Sequence, residues 1–92
     1  MFIHLVLFSI GKKNVAVYKA DCLLWEKEAK RYPAFLSYHT LRRTDKAGQY
    51  ASYYVWKSEA SFRRFMKKHH DRLVRLSHSP VKVLGYYNFK TV

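Results

Sequence analysis

His4 stands in an otherwise apolar stretch, Phe2-Ile3-His4-Leu5-Val6-Leu7-Phe8. Imidazole titrates near neutrality, so a histidine walled in by apolar side chains can serve as a general base toward a phenol or an α-carbon. The alternative is a buried neutral histidine bonded to a neighbour. His69 and His70 are adjacent in a helical pattern, and their side chains diverge by about 100° around the axis. His69 falls on the apolar stripe and reads as core. His70 can reach the mouth of a pocket, which makes it the second candidate for catalysis, or it is simply solvated. The pair is not a metal signature, because no carboxylate stands at ligand spacing. His39 and His78 read as surface residues. Tyr38, Tyr54 and Trp56 are candidate walls for a planar aromatic ligand, or else part of a subunit contact. The single cysteine, Cys22, excludes an internal disulfide and a multi-cysteine zinc site. It falls in mid-helix, no serine sits in a tight glycine turn, and the three glycines are scattered. Nucleophilic catalysis and a phosphate-cradling loop therefore have no support. No metal and no cofactor is expected.

The elements that must position these groups follow from periodicity. Phe2 to Ile10 reads as a strand that is apolar on both faces. Phe2, His4, Val6 and Phe8 point one way, and Ile3, Leu5 and Leu7 the other. Gly11 to Asn14 is a turn, with Asn14 able to cap the next helix. Val15 to Tyr32 reads as that helix, whose stripe is Ala16, Ala20, Leu23 and Leu24, stopped by Pro33. Ala34 to Arg43 is a second strand, and Thr44 to Gly48 a hairpin loop. Gln49 to Trp56 is a third strand, dense in aromatic residues. Ser58 is the expected N-cap of a helix from Ala60 to about Ser77, with Phe62, Phe65, Met66, His69, Leu73 and Leu76 on one face. Ser79-Pro80 breaks the chain, and Val81 to Phe89 is a fourth strand.

The 92 residues make one domain, 49% hydrophobic, with 17% aromatic residues and a formal charge of +12. So many rings exceed what a small interior can hold, so some must line a groove, a cavity or a subunit contact. The charge favours anionic partners without naming one. The longest apolar run is about half a bilayer span. The N-terminus has no basic leader, so a cytoplasmic location is expected by exclusion.

The order βαββαβ implies a ferredoxin-like α+β fold: a four-stranded antiparallel sheet with both helices on one face. The other face should be polar. Phe2, Val6, Phe8, Tyr54 and Trp56 are the candidates for it, and they are not polar. Something must cover that surface. A second copy can pack sheet to sheet and enclose a lumen, or a single-stranded nucleic acid can stack on exposed rings.

Pro33-Ala34-Phe35-Leu36, the run Tyr53-Tyr54-Val55-Trp56-Lys57-Ser58-Glu59-Ala60-Ser61-Phe62-Arg63-Arg64-Phe65, and His69-His70 together resemble the antibiotic biosynthesis monooxygenase (ABM) family of dimeric α/β-barrel proteins. The resemblance covers nearly the whole chain. It implies a homodimer with a pocket in each subunit and oxidation of an aromatic substrate without metal or flavin. A related branch, the stress-responsive barrel proteins, has a first strand similar to Ile3-His4-Leu5-Val6-Leu7-Phe8. Polyketide cyclases there use a histidine matching His4 and a second on the later helix, which His70 matches only if a residue is skipped. A haem-degrading branch expects an asparagine on the first strand and a tryptophan on the later helix, and this chain has neither. The competing class is an RNA-recognition-like module, in which Tyr50 and Tyr54 would stack bases and the cations would meet phosphates. The sequence reading is a homodimeric ABM-like barrel that binds a small planar aromatic or anionic molecule, as an enzyme or as a non-catalytic binding protein, with nucleic acid second and no membrane.

Overall fold

The computed structural model describes residues 1–78 and 80–92. Ser79, half of the expected Ser79-Pro80 break, lies outside the described residues. The strands are β1 (Phe2–Ser9), β2 (Phe35–Arg42), β3 (Gln49–Trp56) and β4 (Lys82–Lys90). The helices are α1 (Val15–Ala29), entered through a 3₁₀ turn at Lys12–Asn14, and α2 (Glu59–Leu76). All neighbouring strands are antiparallel, in the order β2-β3-β1-β4. This is the expected ferredoxin-like architecture.

Local chemistry sets the boundaries. Ser58 is extended, and its hydroxyl accepts from the Ser61 amide at 3.2 Å, which opens α2. Asn14 makes no side-chain cap, contrary to expectation; the 3₁₀ turn, closed by Asn14 N–H donating to Gly11 C=O, feeds α1 instead. α1 ends at Ala29, three residues short of the expected Tyr32, and Tyr32 N–H donates back to Ala29 C=O. Gly48 closes the β2–β3 hairpin at φ +78°, a conformation that glycine adopts without steric cost.

The α1 stripe differs from the expected one. Tyr18, Cys22 and Ala29 are buried and Val15 and Trp25 half-buried; of the expected residues Leu24 is half-buried against the core, while Ala16, Ala20 and Leu23 are exposed. Apolar residues surround much of this helix, so hydrophobicity alone does not select a face. The polar tips decide it: Tyr18 and Cys22 meet Ser52 on β3, and Trp25 Nε1 donates to Ser77 Oγ at 3.0 Å.

The alternation of β1 is as expected, but the face left uncovered is the opposite one. Phe2 packs on Phe62 of α2 at 5.2 Å between ring centroids, His4 on Phe62 at 4.5 Å, and Phe8 on Tyr18 of α1 at 5.5 Å. In the sheet register Trp56 pairs with Phe2, Tyr54 with His4, Ser52 with Val6 and Tyr50 with Phe8. Phe2, Val6, Phe8, Tyr54 and Trp56 therefore face the helices and form core. The face without helices carries three rows across β3, β1 and β4: Val55-Ile3-Phe89, Tyr53-Leu5-Tyr87 and Ala51-Leu7-Gly85, of which Val55 and Ala51 are already buried. Phe89 is 53% exposed and Tyr87 45%. A strand apolar on both faces cannot reveal which one its helices will take. The nucleic-acid reading loses its carriers by the same inversion, since Tyr50 and Tyr54 lie under the helices.

Candidate functional site

Between the sheet and the two helices the fold leaves a cavity of about 410 Å³. Its floor is strand: His4, Val6 and Phe8 from β1, Ser52, Tyr54 and Trp56 from β3, and Val83 from β4. Its roof is helix: Tyr18, Cys22 and Trp25 from α1, and Phe62, Phe65, Met66 and His70 from α2. The rim carries exposed Val74, Val81 and Tyr86. A mostly apolar, ring-lined cavity with a few converging polar groups is the usual form of a small-molecule site.

The structure brings four of the five sequence candidates to this cavity. His4 is buried in its floor, inside one protomer rather than in a lumen between two sheets. Its Nδ1 lies 2.7 Å from Oδ1 of Asn88 on β4. Its Nε2 has no hydrogen-bond partner among the described residues and is not sealed, so it opens onto the cavity. Burial lowers the His4 pKa below 6.5, and the Asn88 bond opposes this only in part. The ring is accordingly neutral at pH 7.

Tyr54 pairs with His4 across the β1–β3 ladder, with ring centroids 6.1 Å apart. Its hydroxyl makes no hydrogen bond among the described residues. Burial, with Tyr38 and Cys22 close by, pushes its pKa well above 10, so it remains a proton donor. Trp56 is fully buried against Tyr32, Phe35, Phe62 and Phe65, and its Nε1–H is sealed without a partner among the described residues. His70 sits at the mouth, edge-on to Trp25 at 5.9 Å and 3.2 Å from the Asp71 carboxylate. The fifth candidate, Tyr38, does not line the cavity. It stands behind Tyr54, with ring centroids 4.7 Å apart.

The sequence reading missed a hydroxyl cluster at the inner end. Ser52 Oγ lies 2.9 Å from the Tyr18 hydroxyl, accepts from Tyr38 at 3.1 Å, and lies 3.8 Å from Cys22 Sγ. Thr40 donates to Tyr38 at 3.3 Å. Desolvation raises the pKa of both Tyr18 and Tyr38, so these phenols stay neutral. One signal was available: Ser52 is the small polar residue between two tyrosine-rich strand segments, and its position faces the same way as Tyr54.

His69 is turned away from the cavity. It bonds Tyr32 through Nε2 and accepts from Arg72 through Nδ1 at 2.9 Å, and Arg72 in turn pairs with Glu28 at 3.3 Å. Burial first, and then the Arg72 charge, hold its pKa below 6.5. His39 and His78 are exposed. Among the described residues, no group of three or more His, Cys, Asp or Glu side chains could hold a metal ion. Among the described residues, no helix is long and apolar enough to cross a membrane.

No family model matches the sequence, and neither does any curated protein. Solved structures do match. SnoaB, a cofactor-independent oxygenase from Streptomyces nogalater, superposes with a TM-score of 0.77 at 19% identity, over 99% of this chain and 92% of its own. An antibiotic biosynthesis monooxygenase gives 0.66 at 17% identity, over 100% and 99%. A conserved protein from Methanosarcina mazei Go1 gives 0.80 at 11% identity, over 99% and 92%. Identities this low speak for architecture alone, and on that ground the chain has, over nearly its whole length, the fold of the antibiotic biosynthesis monooxygenases.

Proposed function

We propose that the protein is a homodimer in which each protomer binds a small planar hydroxyaromatic molecule in the cavity between sheet and helices and oxidises it with dioxygen, without metal or flavin. The observation that carries this reading is His4: a neutral imidazole with an unbonded nitrogen opening onto a ring-lined cavity. In this reading Nε2 removes a proton from an O–H or an acidic C–H of the ligand. The Tyr54 hydroxyl donates to the oxyanion that develops, and the surrounding rings exclude water. Oxygen takes up the substrate's electrons. For an anthrone the balance is a ring CH₂ plus O₂ giving a ring C=O plus H₂O. Trp56 and Phe62 shape the cavity wall, Tyr38 backs it by holding Ser52, and His70 guards the mouth. The exposed Phe89 and Tyr87 and the half-buried Ile3, Leu5 and Leu7 on the uncovered face support the dimer, because a second copy would bury them.

The test is oxygen consumption with anthrone and with 1,4-dihydroxynaphthalene, wild type against His4→Gln and His4→Ala. Turnover in the wild type that falls by about 10²-fold or more in both variants, with circular dichroism unchanged, is expected for a lost general base. Unchanged turnover removes His4 from the mechanism. Light scattering should give about twice the 11.0 kDa chain mass. A monomer that shifts with an oligonucleotide, and loses it as salt rises, would favour the nucleic-acid alternative.

A further inference from the structure

The two ring nitrogens of His4 have different surroundings, and one residue outside the cavity creates the difference. Asn88 sits on β4 in direct register with His4 on β1. β4 is an edge strand, and Asn88 is exposed on it, while His4 is 7% exposed. The 2.7 Å contact joins His4 Nδ1 to the amide oxygen of Asn88. An amide oxygen only accepts, so the hydrogen in this bond belongs to Nδ1. A neutral imidazole carries one N–H, so Nε2 is left with its lone pair.

We propose that Asn88 is the positioning residue of this site: it holds His4 as the Nδ1–H tautomer and so presents Nε2, the nitrogen that opens onto the cavity, as a hydrogen-bond acceptor. This rests on the reading of His4 as the base, and it specifies which atom that base is. The remaining neighbours of the His4 ring cannot do this. Phe62 has no polar atom, and Tyr54 and Tyr86 stand at 6.1 and 6.3 Å between ring centroids, with no hydrogen bond to either nitrogen among the described residues. The bond also fixes the ring plane, because the strand register places Asn88 and His4 side by side whatever the ligand does. The cavity group opposite Nε2 must therefore be a donor: a phenol, an enol or an activated C–H. A carboxylate there would meet a lone pair.

The experiment is a long-range ¹H–¹⁵N correlation spectrum of ¹⁵N-histidine-labelled protein at pH 7.5, with His4 assigned by its loss in His4→Gln. The wild type is expected to show a pyrrole-type Nδ1 and a pyridine-type Nε2. Asn88→Ala should lower the ratio of this tautomer to the other about fivefold, the worth of one neutral hydrogen bond. Asn88→Asp should keep the tautomer, since a carboxylate oxygen still accepts, and should raise the pH at which His4 titrates. An Nε2–H tautomer in the wild type overturns the proposal, because the amide then donates instead. So does an Asn88→Ala spectrum identical to the wild type, or an Asp variant whose His4 titrates unchanged. These readouts need no turnover. An expected tautomer in a protein that oxidises nothing would refute the enzymatic reading and leave the role of Asn88 standing.

Discussion

Replacing Ser52 by alanine should reveal how much of the inner cavity one hydroxyl organises. The Tyr18 ring is 3% exposed, and its hydroxyl has Ser52 Oγ at 2.9 Å as its one close oxygen partner among the described residues. Removing that oxygen orphans a buried phenol, at about 1–3 kcal/mol. Tyr38 loses its acceptor but keeps the Thr40 contact, which adds about 1 kcal/mol. Ser52→Ala should therefore cost about 2–4 kcal/mol in chemical denaturation, measured at fixed protein concentration. Tyr18→Phe alone should cost about 1 kcal/mol, since Ser52 retains Tyr38. The informative variant combines the two. With the Tyr18 phenol gone, Ser52→Ala costs only the Tyr38 bond, so the double variant should be more stable than the sum of the singles by about 1 kcal/mol. A Ser52→Ala cost near zero, or single costs that add to within about 0.5 kcal/mol, would refute the claim that Ser52 is the hub of these phenols.

Other consequences can be checked with simple measurements. His4 and His69 both titrate below 6.5 in the folded protein, so the unfolded chain binds more protons. Stability is then fully present above pH 6.5 and declines as pH falls through 6.5 toward the lowered values. Unfolding titrations from about pH 8 to about pH 5 should show that slope, and it should flatten in a His4→Gln/His69→Gln variant; an unaltered slope would contradict the assignment. Ser58→Ala removes the α2 cap and should cost about 1 kcal/mol, or about 4–8 °C in Tm. Phe89→Asp places a charge on the uncovered face, and light scattering should show a shift from dimer toward a folded monomer. A Phe89→Asp protein that remains fully dimeric would move the subunit contact elsewhere.

Much of the fold was legible because periodicities are local. The switch from a period of two to 3.6 at Trp56-Lys57-Ser58-Glu59 holds to within a residue, and the Ser58 cap is where the sequence puts it. What the sequence hid was choice between equals. β1 is apolar on both sides, so its alternation is readable while the side its helices cover is not. On α1 the inward positions include Tyr18, Cys22 and Trp25, whose polar tips find partners on β3 and beyond α2, while Ala16, Ala20 and Leu23 lie outside. The site residues split in the same way. His4, Tyr54 and Trp56 stand out by type and place, and they gather around one cavity. Ser52 and Asn88 are ordinary polar residues by type. They acquire meaning only through the strand register that sets Ser52 in the same file as Tyr54, and Asn88 beside His4.

The proposed site is tested at its centre by a crystal structure of the protein soaked with 1,4-dihydroxynaphthalene under anaerobic conditions. The expected result is a ring lying in the cavity, with one hydroxyl oxygen about 2.6–3.2 Å from His4 Nε2. A compound that leaves the cavity empty and settles on the rows of Leu5 and Tyr87 instead would contradict the assignment of His4 as the base.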